Sequence, residues 1–290
     1  MFDNIFAAIE KWMRELLTGM VESNMSTMFT DVNEKTSEIA AQVGRTPQNW
    51  NSSVFSMIQN LSESVVVPIA GIIITLVLCY ELISMLTERN NLHDVDTWMF
   101  FKYFVKMWIA VYLVSHTFAI TMAVFDVGQS VVNSASGIIN GETAIDVSSL
   151  SMQMQAAMAT MEIGELVVLA LETFLVSFCM KIMSVVITVI VYGRMIEIYL
   201  YTSLAPIPFA TMSNREWGHV GTNYFRGLFA LAFQAFLMMV CVAIYAALIS
   251  SVRISSNMHS ALIGVAAYTV ILCFSLMKTG SLSKQIFGSH

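Results

Sequence analysis

The sequence predicts an all-α integral membrane protein: a helical bundle of about five transmembrane helices with an N-terminal amphipathic helix. Three observations carry this. Hydrophobic residues make up 57% of the 290-residue chain and charged ones only 12%, whereas soluble domains carry about a quarter charged residues. Five apolar runs approach the roughly 20 residues that a hydrocarbon core of about 30 Å demands. Lys and Arg are also distributed unevenly between the connecting segments, as short loops of membrane proteins require.

The first residues do not read as a signal peptide, because Asp3 and Glu10 interrupt them and no basic segment precedes an apolar one. They read as an amphipathic helix. Its apolar residues from Phe2 to Met20 fall within an arc of roughly 140° at 100° per residue, and Asp3, Asn4, Lys11, Arg14, Glu15 and Thr18 lie outside it. Phe2, Phe6, Ile9, Trp12, Met13 and Leu16 form the expected docking face. The flanking charges are balanced rather than basic, so packing on the chain's own bundle or a partner subunit is favoured over a simple anionic-lipid anchor. Residues 22–63 turn polar, with a breaker run from Gly44 to Pro47, and are expected to hold some helix as well as loop. Residues 1–64 together form an expected extracytoplasmic N-terminal region.

The bundle is expected over 65–277. Its first span is 65–86, with Pro68 near its start and Glu81 near its end. A polar hinge with Arg89, His93, Asp94 and Asp96 leads to the second span, 98–125, whose early Lys102 and Lys106 can snorkel to the headgroups. The extracytoplasmic loop 126–164 contains no Lys or Arg and holds a Met-rich stretch, Met152, Met154, Met158 and Met161, expected as a short helix. The third span, 166–192, lacks Gly and Pro and is about 40 Å long if helical, so it must tilt or protrude. Residues 194–212 contain Ala205-Pro206-Ile207-Pro208, which predicts a short helix ending in an extended, membrane-proximal elbow. The fourth and fifth spans are 224–250 and 258–276, and 278–290 is an expected cytoplasmic tail. A sixth span through the Pro-x-Pro elbow is the alternative.

Basic residues orient this arrangement. One face collects Arg89, Lys102, Lys106, Arg194, Arg215, Arg226, Lys278 and Lys284; the other keeps Lys11, Arg14, Lys35, Arg45 and Arg253. The first is cytoplasmic by the positive-inside rule, which puts the N-terminus outside and the C-terminus inside a cell (plasma or inner) membrane. Glu172 and Lys181 are ionisable residues inside the third span. They point to opposite faces of a straight helix, so each needs a partner on another helix, on another subunit or in a water-filled path. Glu165 shares the stripe of Glu172, which makes an acidic face plausible.

No catalytic residue, cofactor site or metal site is evident. Cys79, Cys179, Cys241 and Cys273 lie far apart in apolar stretches without C-x-x-C spacing and read as buried, inert thiols. The five histidines form no i, i+4 pair and none neighbours a cysteine. A formal net charge of -6 is a poor match to nucleic acid except through local contacts. The 22 methionines serve as core filler or as an adaptable partner surface. Small residues on the last two spans, among them Gly227, Ala230, Ala246, Ala261 and Gly264, permit close helix approach.

From Tyr199 to Met239 a helical run ends in Leu-Ala-Pro-Ile-Pro-Phe-Ala (204–210), then a polar turn, then an aromatic and Arg-led span containing Gln234. This arrangement resembles the TrbL-like polytopic membrane subunits of type IV secretion and conjugation machines, and the order of elements is similar over about 65–276. The resemblance implies a non-enzymatic membrane component that forms a homo-oligomeric ring among membrane lipids and helps to pass a transient DNA or protein substrate. It further implies that other secretion subunits, including ATPases, act beside it. The elbow region, with Arg194, Glu197, Pro206 and Pro208, would then be the contact with partners. A small secondary transporter using Glu172 and Lys181 is the alternative, although no inverted repeat is visible. An intramembrane enzyme would need a motif such as G-x-S-x-G or H-E-x-x-H, and the chain has none.

Overall fold

The computed structural model describes residues 2–87, 97–139, 147–251 and 258–289. Among these, eleven α-helices follow one another: α1 (Phe2–Val43), α2 (Pro47–Trp50), α3 (Ser52–Leu61), α4 (Val67–Thr87), α5 (Thr97–Ser115), α6 (Thr117–Ile139), α7 (Val147–Met158), α8 (Ile163–Ser203), α9 (Pro206–Thr211), α10 (Gly218–Ser250) and α11 (Met258–Phe287). A π-helical turn, Ser62–Val66, joins α3 to α4. Five helical segments are long and apolar enough to cross a membrane: Ser52–Thr87, Thr97–Ser115, Ile163–Ser203, Gly218–Ser250 and Met258–Phe287. The chain is thus an all-α, multi-pass membrane protein. The polar hinge with Arg89 and His93, the middle of the Lys/Arg-free loop and the link containing Arg253 lie outside the described residues.

Two compact units emerge, and they cut across the regions expected from sequence. The first comprises Met1–Val43, Ser134–Val191 and Met238–Lys278; the second comprises Gly44–Asn133, Tyr192–Leu237 and Thr279–His290.

In the first unit α1 is one continuous helix to Val43, where the sequence suggested some helix as well as loop beyond Glu22. Val21, Met25, Met28, Val32, Ile39 and Val43 are buried, and their spacing by threes, fours and one full seven draws a narrow stripe along one side. That stripe packs beside α8. Arg14 Nη1 donates to the Met161 carbonyl at 2.7 Å, Asn24 Nδ2 to Thr173 Oγ1 at 3.4 Å, and Lys35 Nζ to Thr188 Oγ1 at 3.3 Å. Methionine fills this interior: Met25, Met28, Met158, Met238 and Met239 are fully buried, the unbranched side chain conforming to irregular gaps. The amphipathic face near the N-terminus has no cover among the described residues. Phe6 is 68% exposed, and Ile9, Trp12 and Leu16 are also exposed, while Met13 is half-buried. The side chain of Phe2 lies outside the described residues.

In the second unit, the breaker at Gly44–Pro47 ends α1 as its composition demands. Thr46 caps α2 by accepting from the Asn49 N–H at 3.2 Å, with Pro47 in the first helical position, where its missing N–H is harmless. Asn51 caps α3 through Val54 N–H at 3.0 Å. The π-helical turn precedes Pro68, and the Val67 N–H bonds back five residues to Ser62. The second expected span is divided between two helices. α5 yields to α6 at His116, while the ladder persists through His116 N–H to Tyr112 O (3.1 Å) and Ile120 N–H to His116 O (3.0 Å). Thr117 Oγ1 donates to the carbonyls of both Leu113 and Val114, the back-bonding that bends helices. Beyond this junction α6 comes close to α10: a Cβ on Gly128 would lie 2.8 Å from the Ala232 carbonyl oxygen.

The elbow is helical, a correction to the extended conformation expected. Ala205 has φ -51° and ψ -39°, and the junction carries Ala205 N–H to Thr202 O and Ile207 N–H to Leu204 O at 3.3 and 3.2 Å. Prolines in the first turn of α9 give up only donors that a helix N-terminus leaves unpaired anyway. The expected tail is also ordered. Ser283 Oγ donates to Ala230 O at 2.6 Å, and the Phe287 ring lies 5.3 Å from that of Phe233.

Candidate functional site

Polar residues within helices of this apolarity need a reason, and in the second unit they gather where α4, α5 and the turn before α10 meet. Glu81, on the last turns of α4, forms an ion pair with Lys106 of α5 and accepts from Asn214 Nδ2 at 3.3 Å. Asn214 is only 3% exposed. Its Oδ1 accepts from the N–H groups of Glu216 (2.7 Å) and Trp217 (3.0 Å), closing the turn that starts α10. Tyr80 adds a hydroxyl bond to Glu216 at 3.0 Å and stacks on Trp217 at 5.7 Å. α9 sits against this corner, and glycine makes room for it: a Cβ on Gly221 would fall 2.4 Å from the Pro208 carbonyl oxygen. One asparagine therefore ties the start of α10 to a carboxylate on α4 that is itself held by α5.

Of the four elbow residues singled out from sequence, two are interior. Arg194 is 7% exposed; Nη2 donates to Leu231 O at 3.3 Å, and Nε has no hydrogen-bond partner among the described residues. Pro206 is buried at the start of α9, and Pro208 is half-buried. Glu197 lies nearer the surface and pairs with Lys284 at 3.0 Å. Arg194 and Pro206 are therefore enclosed within this unit.

In the first unit Glu172 on α8 is paired with His259 in the first turn of α11. Glu165 does not extend an acidic face toward it. Its carboxylate accepts from the Glu162 N–H at 3.1 Å, the reach-back half of a capping box at the start of α8. Lys181 lies on the opposite side of α8 from Glu172. It is exposed, and no hydrogen bond or ion pair engages it among the described residues. Its neighbours on that stripe are Phe174, Phe178, Ile182, Val185 and Val189, all exposed, Phe178 by 58%.

The thiols divide in a way composition concealed. Cys273 is buried and Cys241 intermediate, but Cys79 and Cys179 are exposed on outward faces of apolar helices, which corrects the expectation that all four are buried. Among the described residues no group of three or more His, Cys, Asp or Glu side chains could hold a metal ion.

The family model described as TrbL/VirB6 plasmid conjugal transfer like protein matches residues 32–206. The chain belongs to this family. Membership makes this TrbL/VirB6-like chain a component of a conjugal-transfer, or type IV secretion, system and part of its multi-subunit complex, in a family of structural subunits. No curated protein matches, and no solved structure matches. The matched segment of the TrbL/VirB6-like chain runs from the last third of α1 through α8 to the first residue of α9, so it includes Glu81, Lys106, Glu172 and Lys181. Asn214 and His259, which complete the polar contacts of Glu81 and Glu172, lie beyond it.

Proposed function

We propose that this chain is a channel or scaffold subunit of a conjugative type IV secretion machine, working as a homo-oligomer in the cell membrane with its N-terminus outside and its C-terminus in the cytoplasm. Lys181 carries this reading. An ammonium group in the middle of an outward stripe of Phe, Ile and Val, with no partner among the described residues, is costly against acyl chains. It is accommodated where a neighbouring copy supplies an acceptor or where the assembled subunits enclose water. The uncovered Phe6, Ile9, Trp12 and Leu16 face, with Met13 at its edge, is a second surface for a partner subunit. Secretion ATPases supply the energy, since the residues described here suggest no chemistry of their own.

The secondary-transporter reading is weakened by one contact. Glu172, its candidate coupling carboxylate, is engaged by His259, and it lies on the side of α8 away from Lys181.

Mass photometry of the purified chain in detergent, with conjugation frequency measured in cells carrying Lys181→Met, tests the proposal. An oligomer is expected, with transfer reduced in the variant. A strict monomer with undiminished transfer by Lys181→Met would overturn it.

A further inference from the structure

The second unit contains a groove of about 480 Å³ between α5 and the α9 segment. Its apolar wall includes Trp98, Val105, Ile109 and Leu113 on α5 and Phe209 on α9, and Lys102 and Ser213 also line it. From Trp98 to Leu113 the groove follows α5 for about 22 Å at 1.5 Å per residue. One leaflet of a hydrocarbon core is about 15 Å deep, so an acyl chain can lie along it. α5 displays Phe101, Phe104, Trp108 and Tyr112 outward, each at least half exposed, and these are side chains suited to acyl chains and headgroups.

The polar groups of the groove specify the headgroup. Lys106 is neutralised by Glu81. Lys102 has no carboxylate partner among the described residues and stands 5.7 Å from the Trp98 ring centroid. Ser213 also lines the groove, but its Oγ is sealed from the surface and offers a headgroup no contact. The next residue, Asn214, reaches the carboxylate that holds Lys106. One uncompensated cation beside an apolar trough calls for a singly charged anion. A zwitterionic headgroup would bring another ammonium toward two lysines.

We infer that this groove is a binding site for an anionic phospholipid, its acyl chain along α5 and its phosphodiester held by Lys102. The site depends on membrane residence and not on the transfer role proposed above.

The test uses the delipidated full chain in detergent, titrated with dioleoyl phosphatidylglycerol or dioleoyl phosphatidylcholine, with bound lipid counted by native mass spectrometry. Phosphatidylglycerol should bind about fivefold more tightly, the preference that one basic residue near a headgroup supplies. Lys102→Gln, an exposed position that leaves the core intact, should abolish the preference while leaving phosphatidylcholine binding unchanged. Val105→Trp, which fills the trough, should weaken both lipids. Equal affinity of the two lipids for the unaltered chain would overturn the inference. So would an undiminished preference in Lys102→Gln, or recovery of a co-purifying peptide in the groove in place of lipid.

Discussion

The carboxylate of Glu172 and the imidazole of His259 join α8 to α11 across 87 residues of sequence. Both side chains are about one-third exposed, so the pair fixes how two helices meet without burying a naked charge. Interhelical polar pairs inside membranes contribute about 0.6–1.7 kcal/mol. Glu172→Gln and His259→Asn should each lower the thermal midpoint in detergent by only a few degrees, and the double variant should fall by less than the sum of the two. Conjugation frequency should stay near that of the unaltered chain. Loss of transfer in a well-folded Glu172→Gln protein would return the transporter reading to contention.

Asn214 does more than its neighbours. Replacement by Ala removes the acceptor for two backbone N–H groups and a donor to Glu81, and should destabilise the chain by about 1–3 kcal/mol. Asn214→Asp keeps the acceptors but sets a second carboxylate against Glu81. It should therefore lose stability as pH rises through the carboxylate range, while Asn214→Ala should show no such dependence. Thermal unfolding in detergent between acidic and neutral pH separates the two.

Glycine substitutions provide an internal contrast. Gly128→Val drives a side chain into the Ala232 carbonyl oxygen, 2.8 Å from the new Cβ, and should destabilise by about 1–3 kcal/mol as α6 and α10 are forced apart. Gly264 has open space around it. Gly264→Ala on α11 should be neutral or stabilising by up to about 1 kcal/mol, from helix propensity alone. Equal thermal midpoints for the two variants would show that α6 and α10 do not approach as closely as described.

Orientation has its own measurement. A reporter enzyme active only outside the cytoplasm, fused after His290, should remain inactive, whereas a reporter active in the cytoplasm should work there. The opposite pair of results would reverse the topology proposed from the basic residues.

The membrane-crossing helices were legible because runs such as Leu166 to Tyr192 contain little that water would tolerate, and lipid or packing must cover them. The middle of α1 was not. Its stripe offers about one buried apolar residue per turn, and Ser23, Ser26, Thr30 and Glu34 fill the outer face, so local composition reads as loop. The elbow misled for a different reason. The bias of a residue before proline against helix is real, but Ala205 precedes a proline at a helix start, where α8 has just ended and the ring obstructs nothing. Lys106 was read as a snorkelling residue because its partner, Glu81, is 25 residues away across a helical hairpin. His259 carried no local mark at all, since its role depends on a helix far away in sequence. Asn214 could have been found: an asparagine shortly before an aromatic, Gly-led helix is an ordinary start signal.

The stripe on α1 also makes chain length there a constrained quantity. Adding one residue between Met28 and Val32 would rotate everything on its N-terminal side by about 100°, turning Val21 and Met25 away from α8 and bringing other residues toward it. An insertion of seven would restore the facing side chains after about two turns. Natural relatives that keep this packing should therefore vary in α1 by sevens, and single-residue insertions should collect before Val21 or at the break after Val43.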